Sequence, residues 1–401
     1  KAELLWKSSQ QSQMAPITVN MDSNNRWELA TIPSKKRISY LDGRDSSPLW
    51  SYLSIDEIVG IGAVHDRADK LVVTSKSTLR CLDWEGQVLW ESPYGSLPGF
   101  FSTPPVASLG PKGPIVAAAT SAGRVLLYFE NKVSPFLSFP LQREVEITSI
   151  HFIEPLNRQS PRLLILDAKG HLQVRSLEGK ELWSSNHVFD GRLAPGIGDL
   201  DGDGAKELVL VEEGGEAIIV MEARRGRILQ RIPLKAGALL RPVLAELDEK
   251  KRGLELLLCV KGGKLLAHRY GGKEKLWIKT LPIEDFPPHA PAIFDVNRDG
   301  IDDPIVPSKQ KGVFIVSGRD GKDLLRLELK EGEADSILLA DIDGNERLEI
   351  VLRLTDGSLL AFTLNRPCSD EPNPWPSIGG DFNRSGSKLS PKGRQGIDFR
   401  L

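Results

Sequence analysis

The segment GDLDGDGAKELVLVEEG, residues 198–214, places three aspartates at alternate positions, follows them with a glutamate and then enters an apolar run. Carboxylates this close together repel one another unless a cation lies among them. Their hard oxygen atoms suit Ca²⁺ better than zinc or copper, and Gly204 permits the positive φ that a tight metal-binding loop needs. The predicted calcium ligands are Asp199, Asp201, Asp203 and Glu207.

This loop occurs four times at one spacing, whereas a single Asp-Gly pair would be explained by an ordinary turn. The further copies are FDVNRDGIDDPIVP (294–307), ADIDGNERLEIVLR (340–353) and VNMDSNNRWELAT (19–31). Their predicted ligands are Asp295, Asn297, Asp299 and Asp303; Asp341, Asp343, Asn345 and Glu349; and Asn20, Asp22, Asn24 and Glu28. The loop at 199–207 supplies four carboxylates, the next two supply three each and the last supplies two, so we expect calcium occupancy to fall in that order.

A related segment, AELDEKKRGLEL at 245–256, keeps two acids but adds basic residues at the places of the remaining ligands. We expect the side chains of Lys250, Lys251 and Arg252 to replace the metal ion here. The segment should therefore bind no calcium.

The apolar runs after these loops are rich in leucine and β-branched residues, which indicates that each loop joins two strands. A proline stands four residues before the first predicted ligand in three of the loops, and prolines in two acid-poor segments extend the series. The series is Pro16, Pro105, Pro195, Pro242 and Pro291. Its spacing indicates a repeat of about 45 residues with eight units over 16–365, each holding about four short strands. The pattern predicts an all-β, eight-bladed β-propeller with four-stranded antiparallel blades.

The two ends of the chain fit a closed ring. The last unit stops after the strand SLLAFTLN (358–365), and the chain begins with AELLWKSS, which resembles KELWSS at 180–185. We expect residues 1–9 to complete the eighth blade, residues 1–371 to form one propeller, and residues 372–401 to form an extension packed on it or trailing from it. Trp6, Trp50, Trp90, Trp183 and Trp277 are predicted to pack between blades.

The charge balance and the apolar runs of the sequence indicate which classes of partner and which location to expect. With 52 basic and 54 acidic residues the net charge is −2, so the sequence predicts no nucleic-acid partner. No apolar run approaches the ~20 residues that span a bilayer, so it predicts no membrane insertion. Open calcium loops suit the millimolar Ca²⁺ found outside the cytoplasm, which favours an extracytoplasmic location, periplasmic or secreted to the cell surface. Because the chain begins with Lys1, we expect it to be part of a larger protein.

The unit P-x-x-x-D-x-D-x-D-G-x-x-E followed by strands resembles the FG-GAP or VCBS-type repeat of integrin alpha-subunit propellers and of secreted bacterial proteins, which implies calcium in the loops. The second half of each unit, as in GGKLLAHRYGGKEKLW, resembles the repeat of quinoprotein-like eight-bladed propellers. The tail NPWPSIGGDFNRSG resembles a segment that flanks propellers of both kinds. The resemblance covers most of the chain. It implies a propeller fold and bound calcium, and it says little about the biological role.

The sequence favours a non-catalytic, calcium-stabilised binding or scaffolding module with a protein or glycan partner. The alternative is an enzyme, either carbohydrate-active and similar to polysaccharide lyases or similar to quinoproteins. Against the alternative, no two cysteines are adjacent, the blades are short, and the histidines lack the spacing of a metal site or catalytic triad. A deep axial pocket lined by aromatic residues and carboxylates would favour the enzyme.

Overall fold

The computed structural model describes residues 2–22, 24, 26–64, 69–95, 99–129, 132–141, 144–153, 160–235, 237–249, 252–272, 275–309 and 312–368. Three sequence predictions lie outside these residues: the extension at 372–401 and the roles of Lys250 and Lys251. Throughout the described part of the chain the secondary structure is β, with 32 strands in eight four-stranded sheets. The predicted all-β, eight-bladed propeller is confirmed.

The strands are numbered in chain order and grouped here by blade. The first strand is β1 (Glu3–Gln11). Blade I contains β2 (Ile17–Val19), β3 (Glu28–Ser34), β4 (Arg37–Leu41) and β5 (Pro48–Leu53). Blade II contains β6 (Ile58–Val64), β7 (Lys70–Ser75), β8 (Thr78–Leu82) and β9 (Val88–Pro93). Blade III contains β10 (Val106–Gly110), β11 (Gly113–Ala119), β12 (Arg124–Phe129) and β13 (Leu137–Pro140). Blade IV contains β14 (Ile147–Ile153), β15 (Arg162–Asp167), β16 (Leu172–Arg175) and β17 (Glu181–Ser184).

The second half of the ring repeats this plan. Blade V contains β18 (Gly196–Gly198), β19 (Glu207–Val211), β20 (Ala217–Glu222) and β21 (Ile228–Pro233). Blade VI contains β22 (Val243–Ala245), β23 (Glu255–Val260), β24 (Lys264–His268) and β25 (Lys275–Thr280). Blade VII contains β26 (Ala292–Phe294), β27 (Asp303–Ser308), β28 (Gly312–Val316) and β29 (Asp323–Leu327). Blade VIII contains β30 (Ala334–Ala340), β31 (Arg347–Leu354), β32 (Ser358–Pro367) and, as its fourth strand, β1.

Burial follows the position of each strand in its blade. First strands contact the first strands of neighbouring blades, so they line the axis of the ring. Middle strands such as β19 are buried along their whole length, which suits the apolar run LVLV that follows Glu207. Fourth strands such as β9 alternate between exposed and buried residues, because one face packs on the next blade and the other meets solvent. Among the described residues there is no helix with the length and apolar character of a membrane span.

The N-terminal strand closes the ring as predicted. β1 pairs antiparallel with β32, with Glu3 opposite Thr363 and Gln11 opposite Ser358. The Trp6 indole is 8% exposed and donates a hydrogen bond of 2.7 Å to the Gly43 carbonyl of blade I. The last blade is therefore tied to the first by both backbone pairing and side-chain packing.

The other predicted tryptophans pack between blades in the same way. Each lies on the fourth strand of one blade, and all but Trp90 face the turn between the third and fourth strands of the next. Indole N–H groups donate to carbonyls in that turn, from Trp50 to Trp84 at 2.8 Å, from Trp183 to Ala223 at 3.1 Å and from Trp277 to Gly318 at 2.5 Å. Trp90 instead stacks on Tyr128 of blade III. The interblade role of these residues is confirmed.

Replacing Gly226 with alanine is expected to destabilise the ring more than replacing Gly271. Both glycines lie in turns between third and fourth strands, with φ of 72° and 73°, so both substitutions carry a similar backbone cost. A Cβ at Gly226 would lie 2.4 Å from the Trp183 ring, whereas one at Gly271 would meet nothing within 4 Å. In denaturant titrations we expect Gly226→Ala to lose about 1–3 kcal/mol more of unfolding free energy than Gly271→Ala. Equal losses would show that the tryptophan contact tolerates the added methyl group.

Candidate functional site

The four predicted calcium loops join the first and second strands of blades I, V, VII and VIII. Because each loop follows the first strand of its blade, all four lie on one face of the ring, which we call the loop face. The turns between third and fourth strands lie on the same face. Side chains from those turns can therefore reach the acidic loops.

The ninth position of the loop holds an acid that accepts a hydrogen bond from a backbone amide of the same loop. Glu207 Oε2 accepts the Leu200 amide at 2.8 Å, and Glu349 Oε2 accepts the Ile342 amide at 3.1 Å. Blade VI keeps this contact with an acid one position later, since Glu255 Oε2 accepts the Leu247 amide at 2.9 Å. The acid at this position thus has a structural role in loops with and without a predicted metal.

The first acid of the loop organises the turn. Asp199 accepts the amides of Gly202 and Gly204 at 2.7 and 2.8 Å. Asp341 accepts the amides of Gly344, Asn345 and Glu346 at 2.8–3.0 Å. These aspartates therefore form hydrogen-bonded turns, as Asp-Gly segments do without a metal. A bound metal ion would be a further partner for the same carboxylates.

In blade V, carboxylate oxygens of Asp199, Asp201 and Glu207 all lie within 4.8 Å of one another. Burial of Glu207, followed by the charges of Asp201 and Asp199, raises its pKa to about 7. Asp203 accepts the Ala205 amide at 2.7 Å and does not belong to this cluster. The structure therefore brings three of the four predicted ligands of this loop together.

Blade VIII holds a second cluster of the same kind, formed by Asp341, Asp343 and Glu349. Glu349 is 0% exposed, and its Oε1 atom has no hydrogen-bond partner among the described residues. Burial, and then the charge of Asp343, raises the pKa of Glu349 to about 8. Asn345 donates its side-chain amide to Asp343 at 2.7 Å, so the amide oxygen of the predicted ligand is directed elsewhere, to the Arg347 amide.

In blade VII a guanidinium group contacts one of the predicted metal ligands, Asp299. Arg319, from the turn after β28, donates to Asp299 Oδ2 at 3.1 Å and to Glu249 of blade VI at 2.9 Å. Asp303 is buried with a pKa raised to about 7, mainly by desolvation, and amides of Val296 and Gly318 occupy its two oxygens. Within the described part of this loop, Asp295, Asp299 and Asp303 form no three-carboxylate cluster.

The acids of the blade I loop are hydrogen-bonded by neutral groups. Asn24 donates its side-chain amide to Asp22 at 2.6 Å, and Asn20 donates to the Asn24 carbonyl. The Tyr40 hydroxyl donates to Glu28 at 2.9 Å, and burial raises the pKa of Glu28 to about 7. The Asn20 Oδ1 atom is buried without a hydrogen-bond partner among the described residues, and the low calcium occupancy expected of this loop stays a prediction.

In blade VI a cationic side chain forms an ion pair with the acidic loop, but it is not Arg252, the predicted one among the described residues. The Arg269 guanidinium, which follows β24, pairs with Asp248. Arg252 instead lies against the blade V loop, where its Cβ would contact a side chain placed at Gly202. The partner of Asp248 therefore comes from the neighbouring turn, 21 residues away in sequence.

A cavity of about 190 Å³ lies at the axis on the opposite face, which we call the entry face. Residues before or within the first strands of blades III to VII line it, including Thr103, Ser149, His151, Arg192, Arg241 and His289. The sequence did not predict this site, because the histidines lack the spacing of a metal site or catalytic triad; His151 lies within β14 and is 3% exposed. The repeat prolines carried a usable signal, because Arg192, Arg241 and His289 each fall one to three residues before Pro195, Pro242 or Pro291.

No protein-family model matches this chain, and no curated protein matches it. Several solved structures are similar to it. BamB from Moraxella catarrhalis is similar to it with 16% identity and a TM-score of 0.61, over 91% of this chain and 98% of that one. The V. cholerae biofilm matrix protein Bap1 is similar with 14% identity and a TM-score of 0.64, over 98% and 97%. BBS1N, solved in complex with ARL6DN, is similar with 10% identity and a TM-score of 0.53, over 91% and 96%. At these identities the likeness shows an eight-bladed propeller fold.

Proposed function

We propose that this chain is a non-catalytic binding or scaffolding propeller of the FG-GAP or VCBS type, with Ca²⁺ in the loops of blades V and VIII. The observation that carries the calcium part is Glu349. Its carboxylate is fully buried beside Asp341 and Asp343, and Oε1 has no hydrogen-bond partner among the described residues. A buried carboxylate oxygen without a hydrogen-bond partner is costly, and a cation shared by the three acids would remove that cost.

The other acidic loops support the assignment by contrast. Arg319 and Arg269 meet the acids of blades VII and VI, and Tyr40 meets Glu28 of blade I. In the described part of the chain no lysine, arginine or histidine forms an ion pair with Asp199, Asp201, Asp341 or Asp343. Carboxylate oxygen ligands suit Ca²⁺, and the millimolar Ca²⁺ outside the cytoplasm leads us to propose an extracytoplasmic location.

The binding part of the proposal is supported by the fold. A rigid ring of short blades presents two broad faces, and one similar propeller, BBS1N, was solved with a protein partner, ARL6DN. We propose that this chain likewise binds a protein, or a glycan, through one of its faces. The expected result is calcium-dependent capture of a partner by the immobilised protein, lost in metal-free buffer. Turnover of a polysaccharide or of a quinone-dependent substrate by the purified chain would contradict the non-catalytic role.

Calorimetric titration of the metal-free protein with CaCl₂ is expected to detect binding, and Asp343→Asn should remove the blade VIII site. The substitution keeps the shape of the side chain but removes one of three clustered charges, so affinity should fall at least about tenfold. Asp299→Asn is the matched control, because the Arg319 guanidinium already meets that carboxylate. No calcium-dependent heat in the parent protein, or an equal loss in Asp299→Asn, would refute the assignment of calcium to blade VIII.

A further inference from the structure

The cavity on the entry face has the size of one small group. Its volume is about 190 Å³, and it opens to solvent. Pro104, Val106, Leu193 and Ala194 give the wall an apolar part. The space therefore suits a side chain or a small molecule that enters from solvent on the entry face.

The charged side chains in the described lining are both arginines, and the ion pair of Arg192 with Asp190 compensates part of their positive charge. Two guanidinium groups, Arg192 and Arg241, and two imidazoles, His151 and His289, line the cavity. No aspartate or glutamate belongs to its described lining. A small cavity walled by cationic and hydrogen-bond-donating groups, with apolar surface around them, selects an anion.

The two arginines are held in place by the protein. Asp190 accepts Arg192 Nε at 2.9 Å and Nη2 at 2.6 Å, and this carboxylate is itself 9% exposed. The Arg192 side chain remains 86% exposed, so the edge of its guanidinium away from Asp190 faces solvent. Arg241 Nη2 donates to the Pro195 carbonyl at 2.8 Å. Both groups are thus oriented before a ligand arrives, which reduces the entropy lost on binding.

We propose that this cavity binds a carboxylate group, presented by an acidic side chain of a protein partner. A guanidinium edge matches the two oxygens of a carboxylate in geometry and charge, and the cavity has room for one aspartate or glutamate side chain. This inference rests on the proposed binding role for the identity of the partner, but the carboxylate site is a property of this chain alone. A free small dicarboxylic acid would offer the same carboxylate chemistry. The experiment distinguishes it from an acidic peptide as the ligand.

The experiment measures fluorescence anisotropy of a labelled hexaglutamate peptide with the calcium-saturated protein, with hexalysine as the charge-reversed probe and succinate as competitor. We expect hexaglutamate to bind and hexalysine not to. Arg192→Gln and Arg241→Gln should each weaken binding about tenfold or more, because each removes a charge-assisted contact. Arg44→Gln is the matched control. It removes the same Asp-Gly-Arg ion pair, with distances of 3.0 and 2.6 Å to Asp42, but lies in blade I and outside the cavity.

The outcomes separate this inference from the calcium proposal. Weak competition by succinate would support a partner's acidic segment as the source, and competition at concentrations equal to the peptide would support the same site with a free acid as its ligand. A melting curve of each variant establishes that it is folded. If Arg192→Gln does not fold, Arg241→Gln provides the test. Failure of hexaglutamate to bind, or equal loss in Arg44→Gln, would overturn the inference and leave the calcium titration unaffected. A negative calcium titration with intact peptide binding would overturn the calcium assignment alone.

Discussion

Deleting residues 1–11 is expected to lower the melting temperature by about 5–15 °C or to cause aggregation on heating. The deletion removes β1, the fourth strand of blade VIII, and leaves the edge of β32 without its partner. Burial of one large apolar side chain such as Trp6 is worth roughly 1.5–3 kcal/mol, and the loss of strand pairing adds to that. Arg353 also loses its contacts with the carbonyls of Ser12 and Gln13 if the segment that follows β1 is displaced. An exposed strand edge promotes association between molecules.

Thermal melting with light scattering tests this prediction, and a matched pair of substitutions separates packing from pairing. Trp6→Ala removes an indole that is 8% exposed at the closing contact, whereas Trp84→Ala removes one that is 55% exposed. We expect Trp6→Ala to cost about 3–5 kcal/mol and Trp84→Ala much less. A deletion variant that melts like the intact chain would show that β1 does not hold the ring closed.

The ring itself could be predicted from sequence because its signals are local and repeated. Strand runs, turn glycines and the prolines at positions 16, 105, 195, 242 and 291 recur at one period, and only a closed set of equal units satisfies that period. Trp183 and Trp277 could be placed between blades for the same reason, since each belongs to the last strand of its unit. The closing strand followed from the missing fourth strand of the last unit.

The state of each acidic loop could not be predicted in this way, because its counter-charge comes from outside the loop. Arg319 lies 20 residues beyond Asp299, and Tyr40 lies 12 residues beyond Glu28. Counting ligands within each loop therefore treated blades VII and VIII as equal, whereas Arg319 distinguishes them. The axial cavity was missed for a related reason, since its arginines and histidines come from separate repeats and each looks like an ordinary loop or strand residue.

Buried acids give the metal-free protein an unusual dependence of stability on pH. The folded-state pKa is raised to about 8 for Glu349 and to about 7 for Glu207, above the value of 4.5 for an exposed glutamate. Between these values the folded state binds more protons than the unfolded state. Stability is therefore greatest below about pH 4.5 as far as these groups are concerned, and it falls as pH rises through the folded-state pKa. One pKa unit corresponds to about 1.4 kcal/mol, so Glu349 contributes a loss on the order of a few kcal/mol.

Calcium should reverse this trend, because it binds the ionised carboxylates and releases their protons. We expect metal-free protein to lose unfolding free energy between pH 5.5 and 8.5 in urea titrations, and saturating calcium to restore it, with the largest restoration at pH 8.5. Glu349→Gln should flatten the metal-free profile and reduce the calcium effect. Glu28→Gln is the control, since Tyr40 already donates to that carboxylate, and it should flatten the profile without changing the calcium effect. Calcium stabilisation that is the same at both pH values, or unchanged in Glu349→Gln, would mean that the blade VIII acids do not bind the ion.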